Sequence, residues 1–121
     1  MQLIIYLFYS FLNNYKLSYK AKKKLLNIKM VLFKVTGYCP CAKCCGKTDG
    51  ITASGVRATA NHTLAAPKTY AFGTKINLNG YGIFVVEDRG GAIKGNRLDR
   101  FFNTHQEALN WGVRNVEGSV V

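Results

Sequence analysis

The sequence predicts a mainly β fold, a small six-stranded barrel with one short helix before the last strand. Three observations carry this. Six segments are short, rich in β-branched and aromatic residues, and bounded by Gly, Pro or Asn-Gly punctuation. Only one segment has the pattern of a capped helix. The 121 residues suit one domain with a core of its own.

The elements follow in order. Segment 31–38, VLFKVTGY, alternates and reads as a strand. Segment 39–50 reads as a loop, and 51–55 as a short extended piece turning at Gly55. Segment 58–67 reads as a strand ended by Pro67. Segment 73–80 alternates and closes on the Asn79-Gly80 turn signal. Segment 81–88 is the most apolar and is expected to be central, and 96–102 is the next strand. In THQEALNWG, Thr104 and Glu107 have capping-box spacing and Gly112 stands at the C-cap, so 104–112 is the helix. Segment 113–121 is the last strand.

Formal net charge is +11, unevenly spread: residues 1–33 hold six lysines and no acid. A basic surface suits nucleic acid, anionic lipid or an acidic cell wall, and equally a plain solvated face. Base-stacking aromatics are not interleaved with the cations, so no specific nucleic acid is expected. The apolar run 2–12 is too short to span a bilayer, and the lysines follow it, the wrong order for a secretory signal. Residues 1–30 are expected to be an appendage, a weak anchor on an anionic membrane or an amphipathic arm, with Met30 an alternative start. Residues 31–121 are expected to form the barrel.

The chemistry concentrates in EDRGGAIKGNRLD. Asp88 ends the most apolar strand and Asp99 lies in the next. Gly90, Gly91 and Gly95 between them permit sharp backbone angles and close approach of a ligand. If the strands are neighbours, both carboxylates reach one cleft. There their pKa values separate, one remaining a general acid and the other an anion, as glycosidic cleavage requires. The plainer reading is that Asp88 caps a turn and Asp99 pairs with Arg97 or Arg100. Lys94 and Arg97 fit substrate carboxylates or solvent. Thr52 and Ser54 fit a groove lining or a self-bonded turn. His62 fits a polar role near the cleft or a satisfied structural one. Tyr81 and Trp111 fit sugar stacking, Trp111 more readily the core.

Cys39, Cys41, Cys44 and Cys45 crowd into seven residues. Zinc bound by this one loop, two disulfides, and free thiols all remain open.

The stretch VVEDRGGAIKGNRLDRFF resembles the three-aspartate, or 3D, domain of bacterial cell-wall proteins, including the C-terminal part of membrane-bound lytic transglycosylase A. TASG at 52–55, FGTKI at 72–76 and EALNWGVRNV at 107–116 agree in order. DRG at 88–90 and TASG also resemble rare lipoprotein A. The resemblance runs from about residue 35 to 121. It implies a double-psi β-barrel and lytic cleavage of the bond between N-acetylmuramic acid and N-acetylglucosamine, with a 1,6-anhydro product. The partners implied are peptidoglycan glycan strands, acted on by a monomer at the cell envelope with no cofactor required. Asp88 and Asp99 match two family aspartates; Asp88 is expected to be the acid/base and Asp99 its electrostatic partner, with exchange open. The third aspartate precedes a proline in the family, and here Ala66 stands in its place, in LAAP. That leaves open a non-catalytic, expansin-like wall-binding module.

Overall fold

A computed structural model describes residues 29–45 and 49–121. The expectation for the segment 1–30 therefore lies outside the described residues except at its last two positions. Among the described residues, no helix is long and apolar enough to cross a membrane.

The strands are β1 (Val31–Tyr38), β2 (Thr63–Ala65), β3 (Lys75–Leu78), β4 (Gly82–Asp88), β5 (Arg97–Phe101) and β6 (Arg114–Val120). They close a barrel in the order β1-β5-β2-β4-β3-β6. The pairs β1–β5 and β2–β4 are parallel and the rest antiparallel. Helix α2 (His105–Trp111) precedes β6. The Thr104 hydroxyl accepts from the Glu107 N–H and donates to the Glu107 carboxylate, so the expected capping pair forms.

Alternation along the strands builds the core. Phe33, Val35, Leu64, Ile76, Leu78, Phe84, Val86 and Leu98 are all essentially sealed from solvent inside the barrel. Trp111 belongs to this core and donates its indole N–H to the Val35 carbonyl. A smaller cluster of Tyr38, Ala65, Ile93 and Phe101 packs on the outer face of the wall.

The structure departs from the sequence reading at three places. A four-residue helix, α1 (Ala42–Cys45), occupies part of the expected loop. The strand read at 58–67 shrinks to Thr63–Ala65, because the amides of His62 and Thr63 bond back to the Thr59 carbonyl and Asn61 takes a φ of 61°. Finally, β4 and β5 are not neighbours, since β2 lies between them.

Candidate active site

Strand β2, set between β4 and β5, holds the two aspartates in register with each other across itself. Ala65 is the register partner of Asp88 on β4 and of Asp99 on β5. With strands about 4.8 Å apart, the two aspartate backbones stand about 10 Å apart across one small residue. A methyl group there leaves the space between the carboxylates open.

Parity along β4 would turn Asp88 inward with Phe84 and Val86. The ladder prevents this: Leu64 pairs with Val86, but the next residue, Ala65, pairs with Asp88. A β-bulge at Glu87 takes up the extra residue and re-aims Asp88 outward, a common use of bulges beside active sites. Glu87 is held away from the cleft by the Thr63 hydroxyl, 2.7 Å from its carboxylate, with His62 Nε2 at 3.6 Å.

Asp88 and Asp99 line one cavity of about 220 Å³, with Tyr38, Thr52, Ile93 and Phe101 among its walls. The two carboxylates are held differently. Asp88 Oδ2 accepts from the Tyr38 hydroxyl at 2.8 Å, and Oδ1 accepts from the N–H groups of Ala53 and Arg89, each at 2.9 Å. Three donors hold this side chain in place. Asp99 Oδ1 accepts from the Thr36 hydroxyl at 2.9 Å. Burial pushes the Asp99 pKa above the usual carboxylate value. The Thr36 bond and the Arg97 charge oppose that rise, and the Asp88 charge adds to it.

The TASG turn forms one wall. Gly55 takes a φ of 91°, and its N–H bonds the Thr52 carbonyl. Thr52 lies in the cavity lining, but its hydroxyl is engaged locally, donating to the Val56 carbonyl and sharing a bond with Ser54. The Ser54 N–H bonds the Glu87 carbonyl and the Ala53 N–H bonds Asp88, so the turn is fastened to the end of β4.

A second, open groove of about 630 Å³ adjoins the cavity, sharing Arg89, Gly90 and Ile93 with it. Gly91, Lys94, Gly95 and Ala66 line this groove. Of the three loop glycines only Gly95 takes a left-handed φ, 63°, while Gly90 allows close approach, with a Cβ there lying 3.0 Å from Ile93. Arg97 acts on Asp99 through its charge, and its Nε is buried without a hydrogen-bond partner among the described residues. His62 lies outside both depressions and is exposed. Tyr81 packs edge-on against Trp111 at 4.9 Å, away from the cavity.

Three contributors escaped the sequence reading. Tyr38 and Thr36 each bond one aspartate from β1. Arg89 clamps the loop, donating to the carbonyls of Ala66, Asp88 and Tyr70, with its guanidinium 4.1 Å from the Phe72 ring centre. The parallel pairing of β1 with β5 sets Thr36 opposite Asp99, a relation 63 residues apart that no local pattern announces.

The family model described as the 3D domain matches residues 62–121, from just before β2 to the chain's last residue. Residues 62–121 are a 3D domain. The barrel that this domain completes also uses β1, which lies ahead of the matched stretch. The cell wall-binding protein YocH of Bacillus subtilis is 36% identical over 80 residues, covering 63% of this chain and 28% of YocH. YabE of the same organism, a protein named for cell wall shaping, is 35% identical over 77 residues, covering 60% of this chain and 19% of YabE. The match thus spans little more than a quarter of YocH and about a fifth of YabE. A crystal structure of MltA from E. coli is similar at 25% identity with a TM-score of 0.48, over 58% of this chain and 26% of that one.

Proposed function

We propose that the 3D domain acts on peptidoglycan and cuts its glycan strands as a lytic transglycosylase. The observation that carries the reading is the unequal treatment of two carboxyl groups in one cavity. Asp88 is held by three donors and Asp99 is buried with a raised pKa. Glycosidic cleavage requires such a division between a proton-bearing acid and a fixed anion. The names of the two Bacillus relatives support the cell wall as the place of action.

The geometry favours exchanging the roles first assigned. Asp99 keeps its proton more readily, so it is the general acid. It protonates the oxygen that leaves C1, and Asp88 stabilises the cationic ring that develops. Asp99, now a carboxylate, takes the proton of the muramyl C6 hydroxyl as that oxygen attacks C1. The 1,6-anhydro ring closes, and Asp99 is again protonated. The attacking hydroxyl belongs to the same sugar, so no second molecule has to be positioned. The reaction so written needs no cofactor. Lys94 and the open groove beyond Arg89 offer a path for the rest of the strand.

The test is mass spectrometry of soluble products from purified sacculi. The wild type is expected to release anhydro-muropeptides, Asp99→Asn to release none, and Asp88→Asn to be severely slowed. Full activity in Asp99→Asn would sink the assignment, and no product from any form would sink the enzyme reading.

A second reading, a wall-binding module that does not cut, has one observation in its favour. Ala66, at the place of the third family aspartate, is wholly buried and brings no carboxylate to the groove. Co-sedimentation with sacculi without product release distinguishes it.

A further inference from the structure

The parallel pair β1–β5 ends with Tyr38 opposite Phe101, and the Phe102 N–H bonds the Tyr38 carbonyl. The two outgoing chain segments therefore leave the barrel side by side. One carries Cys39 and Cys41; the other carries His105, the first residue of α2. The Sγ atoms of Cys39 and Cys41 are 2.8 Å apart, and each lies 3.6 Å from His105 Nδ1. Cys39 is buried, and Cys41 and His105 are half-buried. One donor atom from each residue thus converges on a single point at the barrel rim.

We infer that Cys39, Cys41 and His105 are ligands of a tetrahedral zinc site. Zinc takes thiolate sulfur at about 2.3 Å and imidazole nitrogen at about 2.0–2.1 Å, which puts tetrahedral S and N ligands about 3.6 Å from each other. Both sulfur–nitrogen distances already have that value. The two sulfurs must part by about 1 Å to reach the spacing of about 3.8 Å that the same bond lengths require. Soft thiolates combined with imidazole select zinc over the oxygen-seeking cations. In the sequence, Cys44 follows Cys41 at the C-x2-C spacing of structural zinc sites.

The site is separate from the carboxylate cavity but bears on it. Cys39 directly follows Tyr38, whose hydroxyl holds Asp88, and Pro40, between the two cysteines, lines the cavity. Metal at this point fastens that wall to the start of α2, across 66 residues of sequence.

The test uses the full chain purified under reducing conditions without chelator. Elemental analysis is expected to find one equivalent of zinc. Exchange for cobalt is expected to give the thiolate charge-transfer absorption and the intense visible bands of a tetrahedral site. His105→Ala is expected to weaken zinc binding by more than about tenfold, since even outer-shell partners of a metal are worth that much. Should His105→Ala fail to fold, His105→Cys keeps a ligand there and is expected to hold cobalt with a spectrum shifted toward more sulfur. A Cys39–Cys41 disulfide surviving the reducing preparation, or failure to take up zinc or cobalt, would overturn the site. Unchanged affinity in His105→Ala, or an unchanged cobalt spectrum in His105→Cys, would remove His105 from it.

Discussion

Thr36 and Tyr38 stand two residues apart on one face of β1, and each donates its hydroxyl to one of the two aspartates. One strand therefore holds both aspartates, and the two bonds are separable. Tyr38→Phe keeps the ring that packs edge-on against Phe101 at 5.5 Å and removes the oxygen facing Asp88. A hydrogen bond to a charged group is worth about 1.5–3 kcal/mol, so glycan cleavage is expected to fall roughly ten- to a hundredfold. The rate of anhydro-product release measures it. An unchanged rate would show that Ala53 and Arg89 suffice to hold Asp88.

The buried Asp99 makes both stability and activity depend on pH, with a determined sign. Its pKa in the folded protein is raised above 3.8, mainly by burial. The folded state thus favours the neutral form more than the unfolded chain does. This contribution to stability is fully present below the unfolded value and is lost as pH rises through the folded one. Asp99→Asn keeps an acceptor for Thr36 and has no charge to bury. Its Tm relative to wild type is expected to climb across that window, as thermal melts at a series of pH values would show. Cleavage by the wild type is expected to decline over the same rise in pH as the acid loses its proton. A Tm difference that does not vary with pH would contradict the shift.

Arg89 acts by shape as well as charge. Its guanidinium reaches the carbonyls of Ala66 and Tyr70 at 3.3 and 2.7 Å while lying over the Phe72 ring. A lysine keeps the charge but has no planar fork for two carbonyls and an aromatic face. Arg89→Lys is expected to cost about 1–3 kcal/mol of stability, since buried carbonyls lose donors. Denaturant unfolding measures the loss. A cost as small as a surface substitution would mean the clamp is dispensable.

The parts of the molecule legible in the sequence are those set by local rules. Alternation in VLFKVTGY gave the strand at 31–38, the Thr104–Glu107 spacing gave the helix start, and GGAIKGN marked the bend between the aspartates. What was not legible depends on pairing across the barrel. Ala65 lying between Asp88 and Asp99 requires β2 to insert between β4 and β5, and strand order has no local signature. The bulge that re-aims Asp88 is a mismatch between two strands, invisible in either alone. His105 meets the cysteines only because β1 and β5 run parallel and end together. His62 is exposed and lines neither depression, a placement that its position in the sequence does not announce.

Gly37 lies between the two hydroxyl donors and faces the other way, toward α2. A Cβ there would stand 2.9 Å from the Phe102 ring and 3.1 Å from the Ala108 carbonyl oxygen. The ring can shift, but the carbonyl belongs to a helix held against β1, so the strand itself must give. Gly37→Ala is expected to destabilise by about 1–3 kcal/mol, the usual cost of overpacking. It is also expected to slow cleavage beyond what the lost stability explains, because displacing β1 here moves Thr36 and Tyr38 away from both carboxylates at once. The measurement is cleavage at a temperature where the variant remains fully folded by circular dichroism. Wild-type turnover under that condition would mean that the close fit of β1 against α2 serves stability alone and leaves the aspartate pair untouched.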